Sequence, residues 1–331
     1  MGNHPYRSVI PPVSGGVRPL WSVMIPAYEC AGYLRETLAS VLSQDPGPEQ
    51  MQIEVVDDAS SDRPEAVVEE LGAGRVGFYR QPRNVGHVAN FNTCLQRSRG
   101  HLVHLLHGDD CVRDGFYTAM EAVFEQAPEA GAAFCRYIAI DEAGAWTGIA
   151  KLEQRSSGVI PDWLDKIAVG QRLQTPCMVV RRDVYERLGG FDRRGGFAED
   201  WEMWVRIASD FPVAYEPEPL ALYRVHPVSR TGRFVRNGAN VRDLRRVIDI
   251  NREHFDPVQS EEIARAALRE TATTCLRRAR RMLGAGEVDA MWAQVREAVR
   301  SDSSPRVLAE AGVVVAARYA LAVMRRSGSA R

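Results

Sequence analysis

Two pairs of adjacent aspartates, Asp57-Asp58 and Asp109-Asp110, are the side chains of this sequence with the clearest potential for chemistry. Each pair directly follows a short apolar run. Adjacent carboxylates repel each other, and the repulsion is costly near a protein core unless a cation offsets it. Carboxylate oxygens suit Mg²⁺ or Mn²⁺, which usually hold phosphate oxygens as well. The second pair therefore predicts a metal site, against the ordinary alternative of a polar loop after a strand.

The first pair favours a nucleoside contact. A carboxylate at the tip of a strand can accept a hydrogen bond from a base N–H or a ribose hydroxyl, and Asp58 is the favoured member. The alternative is helix capping, for which Asp57, Ser60 and Asp62 are all suitable.

A third acidic pair, Glu199-Asp200, begins a predicted helix over residues 200–208. The helix macrodipole stabilises a carboxylate at this end, so capping is the simpler interpretation of Asp200 alone. The pair follows a glycine-rich stretch, 189–196, of a kind that can close over a substrate.

Cationic groups follow in Tyr223-Arg224-Val225-His226. His226 is a candidate metal or phosphate ligand. Arg224 is a candidate phosphate contact, and the alternative is an ion pair with Glu216 or Glu218 and no further role.

Strands and helices that alternate along the chain must position these residues. Helical and strand periodicities alternate from residue 20 to 110, which predicts an α/β fold with a mostly parallel sheet flanked by helices. The predicted strands are 21–25, 53–56, 76–79 and 101–106, and the helices between them are about 31–44, 64–71 and 86–98. Asp57-Asp58, Arg83-Asn84 and Asp109-Asp110 then fall at the carboxyl edge of the sheet, where open α/β sheets bind ligands.

Three regions are predicted along the chain. Residues 1–19 are rich in Pro, Gly and Ser and are expected to form a flexible leader. Residues 20–230 form the α/β domain, with further strands near 132–140 and 177–181. Residues 231–331 form a helical C-terminal extension, whose predicted helices are 240–254, 259–283, 287–300 and 305–326.

Composition narrows the protein class. The chain has 331 residues and a net charge of −1, but residues 230–331 contain 20 Arg against 12 Asp and Glu. The surplus permits a solvated helix face, contact with an anionic membrane or acceptor, or a homodimer. No apolar run approaches the ~20 residues of a membrane span. The six scattered cysteines indicate reduced thiols, so we expect a cytoplasmic protein. Peripheral contact with the inner face of the plasma membrane is compatible with this, and no nucleic-acid binding is expected.

The ordered set of motifs resembles the large family of inverting glycosyltransferases with the GT-A fold, called family two. The resemblance covers roughly residues 20–230. The motifs that carry it are Ser22–Tyr28, Val55–Asp62, Asn84-Val-Gly86, Asp109-Asp110, Glu199-Asp200 and Tyr223–His226.

The resemblance implies a role for each motif. Asp58 corresponds to the carboxylate that reads the base, Asp110 to the direct metal ligand, and Asp200 to the general base. His226 corresponds to a histidine that closes on the diphosphate or metal. The full set of implied site residues is Pro26, Ala27, Tyr28, Asp58, Arg83, Asn84 and Asp109 for the nucleotide, Arg224 and His226 for the diphosphate, Asp109, Asp110 and His226 for the metal, and Thr175, Pro176, Glu199 and Trp201 on the acceptor side.

Two departures from the family pattern stand out. His107 occupies a position where the family often has an acid, which leaves one ribose or metal contact open. Asn90-Phe91-Asn92 replaces the family's Ala-Arg-Asn, and Arg83 is the candidate to supply the absent cation.

The expected reaction moves a sugar from a nucleoside diphosphate, UDP favoured, to an acceptor hydroxyl with Mn²⁺ or Mg²⁺ as cofactor. The resemblance permits a place in cell-envelope polysaccharide or glycolipid assembly, or in natural-product glycosylation. A nucleotidyltransferase is the first alternative, but its usual Gly-rich basic loop is absent after Pro26. A non-catalytic nucleotide-sugar-binding module is the second.

Overall fold

The computed structural model describes residues 4–226 and 230–328 of the chain. These residues form two compact units. The first consists of the chain up to residue 167 together with 171–194 and 199–225. The second contains 168–170, 195–198 and the chain from residue 226 onward, so the division falls a few residues before the predicted boundary at 231.

The first unit is built on one ten-stranded sheet. Its strands are β1 (Trp21–Ala27), β2 (Met51–Asp57), β3 (Gly77–Arg80), β4 (Leu102–Leu105), β5 (Cys111–Val112), β6 (Ala132–Ile140), β7 (Trp146–Ile149), β8 (Gly158–Val159), β9 (Met178–Arg181) and β10 (Val213–Arg224). The main path runs β3-β2-β1-β4-β9-β6-β10-β5, with β7 beside β6 and β8 beside β10.

One half of this sheet is parallel and the other half is mixed. The strands β3, β2, β1 and β4 pair in parallel. Every residue of β1 and β2 is buried, as in strands covered by helices on both faces, and this includes the polar residues Ser22, Gln52, Glu54 and Asp57. β9 then enters antiparallel between β4 and β6.

The helices of the first unit follow the predicted alternation. They are α1 (Ala31–Leu42), α2 (Pro64–Gly72), α3 (His87–Arg97), α4 (Phe116–Gln126), α5 (Trp163–Val169), α6 (Arg182–Leu188) and α7 (Glu199–Asp210). α1 buries Leu34, Leu38 and Val41, which lie at helical spacing on the face toward the sheet.

The N-terminal segment corrects one expectation. The Pro- and Gly-rich composition predicted a flexible leader over residues 1–19, but the described part packs against the first unit. Ser8 O accepts a 2.8 Å hydrogen bond from Gly190 N, and Tyr6 O accepts one of 3.0 Å from Arg193 N. Ile10 is only 2% exposed. The segment has almost no regular secondary structure, yet its backbone bonds and one buried apolar side chain anchor it.

The second unit is helical. Its helices are α8 (Arg230–Asn237), α9 (Ala239–Asn251), α10 (Pro257–Gly284), α11 (Val288–Ser301) and α12 (Pro305–Gly328). α10 begins with Asp256 as N-cap and Pro257 at its first position, a favoured start for a helix. The hydrophobic core of the second unit includes Leu276, Met291 and Val314. Where side chains are described, no helix is both long and apolar enough to cross a bilayer.

Candidate active site

The ends of β1, β2 and β4 meet at one edge of the sheet. The carbonyl of Ala27 accepts a 2.9 Å hydrogen bond from Asp58 N, and the carbonyl of Pro26 accepts one of 3.1 Å from Gly108 N. A Cβ atom on Gly108 would lie 2.7 Å from Cys30 Sγ, so a larger residue here would require the Cys30 side chain to move. The backbone thus brings both aspartate pairs to the edge that the sequence predicted.

The two members of the first pair have different surroundings. Asp57 is fully buried and accepts a 3.1 Å hydrogen bond from Ser60 N, while Arg80 Nη1 lies 3.2 Å from its carboxylate. Asp57 therefore stabilises the turn after β2, and it does not cap α2, whose N-cap residue is Arg63. Asp58 accepts from Val85 N at 2.7 Å and from Gly86 N at 3.0 Å.

Asp58 thereby holds the loop after β3 against the end of β2. Burial raises the pKa of Asp58, while the two backbone N–H groups oppose that rise. Arg83 and Asn84 lie in the same loop and are exposed, and Tyr28 after β1 is 52% exposed. These side chains are accessible to a ligand at the sheet edge.

The second pair lies beside His107. Asp110 is 1% exposed, and its Oδ1 accepts a 2.8 Å hydrogen bond from Arg224 N. Its Oδ2 has no hydrogen-bond donor among the described residues, and His107 Nδ1 lies 3.5 Å from it. Ligand atoms of His107, Asp109 and Asp110 all lie within 4.8 Å of one another. A buried carboxylate oxygen that accepts no hydrogen bond from the described residues, beside two further groups with metal-ligand atoms, fits a divalent cation.

Electrostatics agree with that fit. Burial raises the pKa of Asp110 to about 6, and Asp109 reinforces the rise while His107 opposes it. Burial alone would lower the pKa of His107, but Asp110, Asp109 and Asp200 outweigh it and raise that pKa. The acids of the site thus favour a positive charge at this position, and Asp200 is close enough to act on His107 as well.

His107, which the sequence marked only as a departure from the family pattern, lies beside the acid pair and could join it in holding a metal ion. Its ring stacks on Phe91, with centroids 5.0 Å apart and planes at 19°. Phe91 holds the position of the family's arginine and is 7% exposed. The stack fixes the imidazole beside the acid pair.

The structure corrects the role of Arg224. Its side chain is buried, and its guanidinium donates to Asp109 O at 2.9 Å, Asp141 O at 3.2 Å and Glu36 Oε2 at 2.6 Å. The guanidinium also lies 4.8 Å from the ring centroid of Tyr33. These contacts occupy the donors that a diphosphate would need, so Arg224 positions the acid loop. The alternative of a pair with Glu216 or Glu218 named the wrong acid.

Asp200 lies in the first turn of α7 and is 9% exposed. Its Oδ2 accepts from Gln171 Nε2 at 2.6 Å, and Thr175 Oγ1 lies 3.4 Å away. The neighbouring Glu199 lies 3.3 Å from His87 Nε2. Gln171 carried no sequence signal, because it lies on an irregular loop 29 positions before its partner.

The residues expected on the acceptor side all lie in the interior, and Thr175 and Glu199 are only 3% and 4% exposed. Trp201 is 1% exposed, and its indole N–H donates to Ile167 O at 2.6 Å. Pro176 is buried, and its carbonyl lies 3.0 Å from His104 Nε2. Neither side chain presents a surface to an acceptor, because apolar helix and loop positions next to a site also fill the core. His226 belongs to the second unit, and its expected role stays a prediction.

Comparison with known proteins identifies the class. The chain belongs to glycosyl transferase family 2, whose model matches residues 22–189. An uncharacterized glycosyltransferase of Rickettsia typhi is 25% identical over 64% of this chain and 66% of its own length. A Mesorhizobium japonicum protein named N-acetylglucosaminyltransferase is 30% identical over 66% of this chain, which spans about half (54%) of that relative.

Solved structures confirm the GT-A fold. TarS of S. aureus in complex with UDP-GlcNAc aligns with a TM-score of 0.61 at 13% identity, covering 86% of this chain and 92% of that one. A mannosyltransferase from Pyrobaculum calidifontis, in complex with GDP-Man and Mn²⁺, aligns at 0.57 and 18% identity, covering 97% and 84%. At such identities the likeness shows the fold alone.

Proposed function

We propose that this chain is a metal-dependent, inverting glycosyltransferase that moves a hexosyl or pentosyl group from a nucleoside-diphosphate sugar to an acceptor hydroxyl. The observation that carries the proposal is Asp110, a buried carboxylate beside Asp109 and His107, one oxygen of which accepts no hydrogen bond from the described residues. A sheet edge that also holds Asp58 and Asp200 supplies the remaining parts of such a site.

The nucleoside is proposed to lie across the end of β1 and the loop of residues 81–86. Pro26, Ala27 and Tyr28 line one side, and Asp58 accepts from a base N–H. Arg83 and Asn84 are exposed and available to the ribose or phosphates. We favour UDP, since a 30% identical relative is named N-acetylglucosaminyltransferase and the TarS complex contains UDP-GlcNAc.

Asp109 and Asp110 are proposed to hold Mn²⁺ or Mg²⁺, with His226 as a further candidate for the metal or diphosphate. A divalent cation supplies charge stabilisation of several kcal/mol to a developing negative charge. Arg224 would fix the two aspartates that hold the cation, since it donates hydrogen bonds to both Asp109 O and Asp110 Oδ1.

Asp200 is proposed as the general base. Hydrogen bonds from Gln171 and Thr175 to Oδ2 orient the carboxylate. It removes the proton of the acceptor hydroxyl while that oxygen bonds to the anomeric carbon. The bond from this carbon to the diphosphate breaks, the diphosphate oxygen keeps the electron pair, and the configuration inverts. Glu199 and Thr175, although buried, stay the residues proposed for the acceptor side. The proposed role is in envelope polysaccharide, glycolipid or natural-product glycosylation.

The test compares Asp200→Asn with wild type. Release of UDP from UDP-sugars, with water as acceptor, should fall about 10²–10⁴-fold, the usual contribution of a positioned base. Calorimetric affinity for UDP should stay within about twofold, a change of roughly 0.4 kcal/mol. Asp210→Asn, at the exposed end of the same helix, is the matched control. Wild-type turnover in Asp200→Asn would place the base elsewhere.

A further inference from the structure

The metal-ligand set of this chain is chemically mixed. Asp109 and Asp110 offer carboxylate oxygens, whereas His107 offers an imidazole nitrogen. Mg²⁺ takes oxygen ligands and dehydrates reluctantly, while imidazole suits transition metals. The identity of residue 107 therefore bears on which cation the site prefers.

The position of His107 fits direct ligation. Its Nδ1 lies 3.5 Å from Asp110 Oδ2. Two ligands at about 2.1 Å from one ion lie roughly 3.0 Å apart at right angles and about 3.4 Å apart in tetrahedral geometry. A small movement would therefore bring both atoms to one cation.

Two polar atoms of this site, Asp110 Oδ2 and the second ring nitrogen of His107, Nε2, lack a hydrogen-bond partner within the described residues. The stack on Phe91 holds the ring plane without using its nitrogens. The ordinary alternative is that His107 only pairs with Asp110 and leaves when a cation binds.

We infer that His107 is a third metal ligand, through an imidazole nitrogen, and that it makes the site prefer Mn²⁺ over Mg²⁺. The inference rests on the metal site of the proposed function and adds its selectivity. Replacing the nitrogen by an oxygen ligand in His107→Asp should reduce that preference, because carboxylate oxygens accept both ions.

The experiment uses the full chain and Mn²⁺ alone as probe. Pulsed electron paramagnetic resonance of bound Mn²⁺ should show hyperfine coupling to a ¹⁴N nucleus in the wild type. The coupling should vanish in His107→Asp and persist in His226→Gln, which removes the other candidate nitrogen ligand. Competition with Mg²⁺ should show a wild-type preference for Mn²⁺ of at least about tenfold, or 1.4 kcal/mol, reduced severalfold in His107→Asp.

Two failures are distinguishable. Mn²⁺ that binds without ¹⁴N coupling, or with coupling lost only in His226→Gln, overturns the role of His107 and leaves the metal site intact. Wild-type protein that binds no Mn²⁺ overturns the metal site itself, and the inference with it. The wild-type spectrum decides the matter even where a variant does not fold.

Discussion

The backbone N–H of Arg224 donates a 2.8 Å hydrogen bond to Oδ1 of Asp110, joining the last residue of β10 to a deeply buried acid of the site. The same residue's guanidinium binds the carbonyl of Asp109. One residue therefore fixes both members of the pair, while Oδ2 of Asp110 accepts no hydrogen bond within the described part of the chain.

Arg224→Met should destabilise the fold and weaken the metal site. The change leaves the carbonyls of Asp109 and Asp141 without their donor, and unsatisfied buried acceptors cost about 1–3 kcal/mol each. We expect urea unfolding to show a loss of about 2–3 kcal/mol in the free energy of unfolding, and Mn²⁺ affinity to fall as well. The exposed Arg155, changed to Met, should stay within about 0.5 kcal/mol. An unchanged Mn²⁺ affinity in a folded Arg224→Met protein would refute the positioning role.

Asp57→Asn and Asp58→Asn form a matched pair one position apart. The Asp57 carboxylate bonds to Ser60 in the turn and pairs with Arg80, so its change should lower the free energy of unfolding by about 1–3 kcal/mol. Its effect on UDP affinity should be within about twofold. Asp58→Asn should weaken UDP binding by about tenfold or more, equivalent to 1.4 kcal/mol. Calorimetry measures the UDP affinity of both variants, and thermal unfolding measures their stability. Equal UDP affinity in the two variants would contradict a structural role for Asp57 and a nucleoside-binding role for Asp58.

His104→Gln should change how stability depends on pH. Burial lowers the pKa of His104 to about 4 from an ordinary 6.5. Between these values the unfolded chain binds a proton that the folded chain does not, so the stability from this residue is present above pH 6.5 and is lost as the pH falls toward 4. The loss reaches about 3 kcal/mol.

Glutamine does not titrate and retains a donor toward the carbonyl of Pro176, which His104 contacts at 3.0 Å. Urea unfolding at several pH values from 7.5 to about 4.5 should therefore show a smaller acid destabilisation in His104→Gln than in wild type. If the free energy of unfolding fell equally with decreasing pH in the two proteins, His104 would not be the source of the acid destabilisation.

Local patterns were sufficient to predict the strands of the first half of the sheet and the edge at which the acids meet. Apolar runs ending at Asp57 and at His107 mark strand tips directly, because a parallel sheet has a single carboxyl edge. The GT-A fold followed from the ordered motifs and is confirmed.

Long-range contacts explain what the sequence did not predict. Arg224 binds Glu36, which lies 188 positions earlier, and no local pattern reports that pair. The packing of the N-terminal segment depends in the same way on the backbone of residues 189–193. Trp201 shows another limit, since helical periodicity gives the buried face of α7 but does not separate core from ligand surface.

Calorimetric titration with UDP, GDP, dTDP and CDP, first with Mn²⁺ and then with EDTA, tests the central claim most directly. We predict that one diphosphate, UDP, binds only in the presence of the metal, and that Asp110→Asn weakens this binding by more than about tenfold. Absence of binding by all four nucleotides, or binding that is indifferent to both EDTA and Asp110→Asn, would contradict a metal-dependent nucleoside-diphosphate site at this edge of the sheet.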